Sequence, residues 1–533
     1  MDGFFKHIRI FLNKWKAHAL THAKEVVNAR KVFICGMPKF ALNETDEMMN
    51  HPLSTLLVAS VLLTVACSKP ADRQDLNVAA PLETSASAAT AVTKSGPVAG
   101  YVDGGVYIFK GIPYAKAERF MPAVDPDPWT DVRPSRAYGP TCPQDKRAGW
   151  WSDNQAFAMH WDDGFPDEDC LRVNIWTGGL RNGVKRPVMV WLHGGGFRAG
   201  SGQELISYDG TNLARDHGVV VVSLNHRLNV LGFLDLSAYG AKYAQSGNVG
   251  MTDIVKALEW VRDNIAAFGG DPDNVTIFGQ SGGGGKVSTL MAMPSARGLF
   301  GKAIVESGSI TELMDPKYSR RIGAKTVEAL HVNPSRIDKL AEVPYEQLLA
   351  AYNDAIAAVR EEARQDGALS ANFLNALLFG QVPVVDGEVI PAQPDTPEAL
   401  ALSKDIPVII GTTYHEFTRD QEDPIFKPLA LQQAANRSAA GCAPVYLYQF
   451  TWESPVLDGA FGSTHCIEIP FVFDNVALHR TFTGGAADAV ELGHRISRLW
   501  TNFAKTGTPA AEGIPAWEPY PKKMILDIES SIQ

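Results

Sequence analysis

The chain has 533 residues, 45% hydrophobic and 20% charged, enough for one large or two medium globular cores. Its formal net charge of −10 excludes the basic face that a nucleic-acid binder needs. No sustained heptads or repeats of fixed period are visible, which excludes coiled coils and solenoids.

The first 47 residues carry the opposite balance, eight Lys/Arg against five Asp/Glu. They read as an upstream extension outside the native product. Within it "HALTH" sets His18 and His22 at helical i, i+4 spacing without the Glu of a zinc-protease motif, so it reads as a solvated helix face. Residues 48–67, "MMNHPLSTLLVASVLLTVAC", have the layout of an export signal, too short and wrongly flanked for a lasting membrane span. "LTVAC" resembles a bacterial lipoprotein cleavage box, which would make Cys67 the lipid-bearing residue. Against it, Thr64 stands where Leu is commoner, and His51 is the only candidate charge in front. We expect translation from Met48 or Met49 and an exported product: periplasmic, tethered to the outer membrane through Cys67, or secreted. The alternative is a buried helix in a longer native chain. Residues 68–95 are rich in Ala, Ser, Thr and Pro and read as a flexible linker, with the folded domain spanning 96–533.

In the folded part, "RPVMVWLHGGGF" is an apolar run from Pro187 to Leu192 feeding a glycine turn, the pattern of a strand buried on both faces. "GVVVVSLNHRL" is a second such strand. "TDIVKALEWVRDNIAAF" places Ile254, Val255, Leu258, Trp260, Val261 and Ile265 at largely helical spacing. A strand over Val275–Phe278 follows, and "KAIVES", "DIPVIIG" and "APVYLYQFTW" are further strand candidates. Strands alternating with helices predict an α/β chain, a mostly parallel, doubly wound sheet with helices on both faces.

The stretch "FGQSGGGGKVS", residues 278–288, admits two readings. A phosphate-binding P-loop fails, because Gln280 occupies its first glycine position and Val287 follows Lys286 where Ser or Thr is needed. The pattern G-x-S-x-G is satisfied by Gly279, Ser281 and Gly283, and it sits where a strand ends and a helix should begin, as a nucleophile elbow requires. A serine hydroxyl needs a base, the base needs an orienting carboxylate, and the developing oxyanion needs fixed N–H donors. "HGGGF" offers the amides of Gly195 and Gly196, to which Gly282 adds its own. Thirteen histidines are available, and periodicity does not select the base.

"GGDPDNVTIFGQSGGGGKVSTL", "VWLHGGGF", "IFKGIPYAKAERF", "EDCLRVNIW" and "STHCIEIPFVFDN" together resemble the type-B carboxylesterase family, which includes cholinesterases and bacterial para-nitrobenzyl esterases. The motifs run in matching order over about residues 96–530. The resemblance implies an α/β-hydrolase fold and ester hydrolysis through an acyl-enzyme on Ser281, with no metal or cofactor. It assigns the acid to Glu416 in "GTTYHEFT" and the base to His465 in "HCIEIPFVF". Ser307 in "VESGS" matches a serine that the family places near the acid. Cys142 and Cys170 match positions that the family joins by a disulfide around a loop holding Trp150, Trp151 and Trp161. Whether Cys442 and Cys466 pair is open.

The chain departs from that pattern in three places. Gln280 replaces the usual Glu beside the serine, which removes a negative charge near the triad. His415 and Phe417 flank Glu416 where Asp and Gly are usual. Segment 420–440 is shortened, and no closing helix follows "MILDIESSIQ", a departure that admits three readings: a shallower pocket, reduced stability, or a decayed, inactive product. The reading is a serine esterase acting on small-molecule esters, of undetermined oligomeric state. Its rivals are an amidase or carbamate hydrolase using the same serine, and a noncatalytic, adhesion-type member of the fold.

Overall fold

The computed structural model describes residues 81–533, apart from positions 86, 146–151, 163, 181 and 371. The export segment with Cys67, the pair His18 and His22, and both Trp150 and Trp151 lie outside the described residues. No helix among the described residues is long and apolar enough to cross a membrane.

The centre of the domain is an eleven-stranded sheet. Seven strands run parallel, in the spatial order Lys523–Leu526, Val445–Phe450, Val408–Thr413, Lys302–Glu306, Gly270–Gln280, Arg186–Leu192 and Val220–Leu224. Beyond Val220–Leu224 the strands Arg172–Thr177, Val106–Pro113 and Tyr101–Asp103 pair antiparallel. The opposite edge is closed by the antiparallel Ser531–Ile532. Every side chain of Val220–Leu224, Val408–Thr413 and Val445–Phe450 is buried, as expected for strands covered on both faces. Two apolar clusters lie on the sheet. One holds the helix Val249–Asn264 through Ile254, Leu258 and Val261; the other holds the helix Ala487–Thr506 through Leu492, Ile496 and Trp500.

The domain begins earlier than the composition predicts. Glu83 exchanges backbone hydrogen bonds with Val102, and Thr90–Val92 pairs antiparallel with Pro97–Ala99. Ala91 in that short strand and Ala89 just before it are fully buried. Small side chains give up little rotamer entropy on burial, so a stretch that reads as linker by composition can still pay its ordering cost through backbone pairing. The linker expected over 68–95 is thus corrected at its C-terminal end.

The sheet also positions the site through one buried ion pair. The Arg227 guanidinium donates to both carboxylate oxygens of Asp253 at 2.6 and 2.8 Å, and the two side chains are 5% and 0% exposed. The pair ties the loop after Val220–Leu224 to the helix Val249–Asn264. Asn229, two residues on, donates its backbone N–H to the Phe197 carbonyl in the HGGGF loop. Asp253→Leu is expected to destabilise the domain by about 3–5 kcal/mol, since it strands a buried cation. Urea unfolding should show the double variant with Arg227→Met recovering much of that loss. Full additivity of the two changes would contradict it.

Candidate active site

The strand Gly270–Gln280 ends at Ser281, which adopts φ 58° and ψ −125°, and the helix Gly282–Leu290 begins at the next residue. A non-glycine residue at positive φ is strained. Here it is held by the Ser281 N–H donating to the Glu306 carbonyl and by Gly285 N–H donating back to the Ser281 carbonyl. The turn is this sharp because the helix presses against the neighbouring strand: a Cβ on Gly283 would lie 1.9 Å from the Leu192 carbonyl oxygen. The loop after Leu192 is equally constrained. Gly195 has φ +84°, and a Cβ there would lie 2.1 Å from the Ala199 oxygen. Among the described residues, the backbone N–H groups of Gly195, Gly196 and Gly282 donate to no protein acceptor.

Glu416 and His465 meet through two loops joined by a backbone bridge. His465 N–H donates to the Glu416 carbonyl at 3.0 Å, and the Thr464 hydroxyl donates to the same oxygen at 3.0 Å. His415 strengthens this seam, since its Nδ1 accepts the Ser463 N–H at 3.0 Å. The side chains then meet: His465 Nδ1 is hydrogen-bonded to Glu416 Oε2. Glu416 is 1% exposed, and its other oxygen accepts the Ser307 hydroxyl at 2.5 Å and the Thr413 N–H at 2.8 Å. Ser307 thus stands against the acid.

Ser281, His465 and the three glycines line one cavity of about 420 Å³, within the usual range of small-molecule sites. Its wall is largely apolar and includes Trp161, Leu205, Leu378 and Phe482. Among the described residues no hydrogen bond joins Ser281 Oγ to His465 Nε2. Gln280, in place of a carboxylate, sets its amide nitrogen 3.3 Å from both ring nitrogens of His465 and accepts the Cys466 thiol at 3.1 Å.

Two features went unread in the sequence. Phe417 and Phe426 pack on the His465 ring at centroid distances of 4.5 and 5.0 Å. Phe426 opens the helix Phe426–Ala439, so the shortened segment still supplies a wall of the cavity. Near Glu416 lies a group of buried acids. Burial lifts Glu468 well above the usual carboxylate range and raises Glu306 to about 8. Glu306 accepts the Trp500 indole N–H at 2.7 Å on one oxygen only.

Folded Glu306 therefore keeps a proton that the unfolded chain loses near its ordinary 4.5. Its contribution is full below that value and declines as pH rises toward 8. Glu306→Gln, which can still accept from Trp500, should flatten the decline. Unfolding free energies from urea titrations across the pH range should diverge from wild type in the variant's favour by up to about 1.4 kcal/mol per pH unit. Parallel profiles would refute this.

The expected disulfide is corrected. Cys142 and Cys170 are two buried free thiols, and the hydrogen bond between them, with burial, pushes the Cys170 thiol up. Motif matching fixes that the two cysteines meet; it does not fix their oxidation state. Cys442 and Cys466 are separate free thiols as well.

A protein-family model described as the carboxylesterase family matches residues 87–424 and 422–533, the two stretches meeting just after Glu416. The chain is 37% identical over 493 residues to a para-nitrobenzyl esterase of Bacillus subtilis, covering 83% of this chain and 95% of that protein. It is 33% identical to a phenmedipham hydrolase of Pseudarthrobacter oxydans, covering 80% and 91%. Among solved structures, a Clostridium hathewayi esterase described as hydrolysing aliphatic aromatic polyesters superposes with a TM-score of 0.73 at 33% identity, covering 83% of this chain and 95% of that one. A PNB esterase superposes at 0.70 and 34% identity, covering 84% and 97%. The fold is the α/β-hydrolase fold.

Proposed function

The chain belongs to the carboxylesterase family, and from that premise we propose that it hydrolyses carboxylic esters of small molecules through an acyl-enzyme on Ser281. The observation that carries the reading is the convergence, on one cavity, of a strained elbow serine, the Glu416–His465 pair and three amides without protein acceptors.

Glu416 holds the imidazole with its proton on Nδ1, which leaves Nε2 to take the proton of Ser281 as its oxygen attacks the ester carbonyl. Gly195, Gly196 and Gly282 receive the oxyanion. The protonated His465 returns the proton to the leaving alcohol, and water then releases the acyl group by the same route. The Gln280 amide must yield Nε2 during this cycle, a movement of one side chain.

The test pairs a short-chain p-nitrophenyl ester with the p-nitroanilide of the same acyl group. Ester turnover well above anilide turnover is expected. Comparable rates would favour an amidase, and no turnover of either by folded protein would favour a noncatalytic member of the fold. The same proposal includes export directed by residues 48–67. Mass spectrometry of the mature N-terminus would reveal cleavage before Cys67 with added lipid, cleavage without lipid, or an intact front.

A further inference from the structure

Lys286 belongs to no P-loop, and ester hydrolysis gives it no part. It is nevertheless 0% exposed, one turn into the helix that follows Ser281. Burying an ammonium is unfavourable unless specific partners replace its water. Its partners are all in one loop. Nζ donates to the carbonyl of His193 at 2.7 Å and to that of Gly194 at 3.3 Å, and lies 5.8 Å from the ring centroid of Phe197. These contacts bracket Gly195 and Gly196, the two glycines whose amides face no protein acceptor.

We propose that Lys286 is a positioning residue that fixes the oxyanion loop against the nucleophile elbow. This rests on the serine-hydrolase reading of the site. The oxyanion donors come from two chain segments, Gly282 on the elbow helix and Gly195 and Gly196 on the loop, so their spacing depends on whatever joins the two. Lys286 is that join. It also sets direction. In a planar trans peptide the C=O and N–H point opposite ways. Holding the Gly194 carbonyl on Nζ therefore turns the Gly195 N–H away from the lysine and stops the peptide from rotating. His193 Nδ1–H, 3.0 Å from the same carbonyl oxygen, is a second donor to it. A donor on that oxygen also polarises the peptide, which strengthens its N–H as a donor.

The test uses the full chain with Lys286→Met, which keeps the length of the side chain without donors, and Lys286→Gln, which keeps an amide donor. Circular dichroism checks that each is folded, and the Gln variant carries the test should the Met variant not fold. For a p-nitrophenyl ester, kcat is expected to fall about 10–100-fold in Lys286→Met, with KM within about twofold. Inhibition by an alkyl trifluoromethyl ketone, whose hemiketal oxyanion occupies the same donors, should weaken by a matching factor. Lys286→Gln should recover part of both losses. A merely structural lysine would change folding stability without this match between kcat and ketone affinity. Folded variants with unchanged kcat, or with reduced kcat and undiminished ketone affinity, would overturn the proposal. A fluorophosphonate probe on the wild type separates the two levels. Failure to label Ser281 removes the hydrolase reading and this proposal with it; labelling at Ser281 with insensitive Lys286 variants removes only the proposal.

Discussion

Ser281→Ala is expected to reduce kcat for a p-nitrophenyl ester by about 10⁶-fold, the loss seen when an acylating serine is removed from a complete triad. The variant should remain as stable as the wild type. Among the described residues the Ser281 hydroxyl makes no hydrogen bond, so its removal leaves no polar group stranded. The strain at φ 58° is the same for any residue with a Cβ, and the backbone bonds to Glu306 and Gly285 are untouched. Melting temperatures should therefore coincide while activity vanishes. A fluorophosphonate should label the wild type at Ser281 and leave the variant unlabelled. Residual turnover above about one part in a hundred would mean that another nucleophile operates, because the oxyanion donors alone retain only about 10³–10⁴-fold over water.

What could be read in advance follows from how far apart in the chain the deciding residues lie. The elbow and the HGGGF loop are local motifs, each at the end of an apolar run, and both were legible. The strand leading to Ser281 runs over Gly270–Gln280, longer than the expected Val275–Phe278, because its first residue, Gly270, pairs with Arg186 across a register shift that no hydrophobic pattern records. Glu416 and His465 were named by resemblance alone; nothing in their spacing singles them out among the carboxylates and histidines. The packing of Phe417 and Phe426 on His465 left no sequence signal, since it joins residues 48 and 39 positions apart in the chain. Lys286 did leave one, five residues after the serine, in a helix whose four glycines bring it close to its neighbours. The signal was legible as a P-loop fragment and misleading as chemistry.

The acid provides the second large effect. Glu416→Gln is expected to lower kcat about 10⁴-fold with little change in KM, because the amide forces the wrong imidazole tautomer. The geometry here makes the outcome directional. Oε1 accepts from the Ser307 hydroxyl at 2.5 Å and the Thr413 N–H at 2.8 Å. The Thr413 donor cannot be reversed, so the glutamine must place its carbonyl oxygen there and its NH₂ against His465 Nδ1. That nitrogen must then accept, which moves the ring proton to Nε2, the atom that has to receive the proton of Ser281. The base is disabled without any change in shape. Asp423 offers no replacement: its two oxygens are committed to the N–H groups of Ile425, Phe426 and Lys427 at the start of a helix. Steady-state rates from weakly acidic to weakly basic pH decide the matter. A variant within about tenfold of wild type at every pH would show that Glu416 does not set the tautomer, whatever its contact with His465. A uniform loss of four orders of magnitude, in a protein that still folds and still binds substrate, would assign the proton on Nδ1 to this carboxylate.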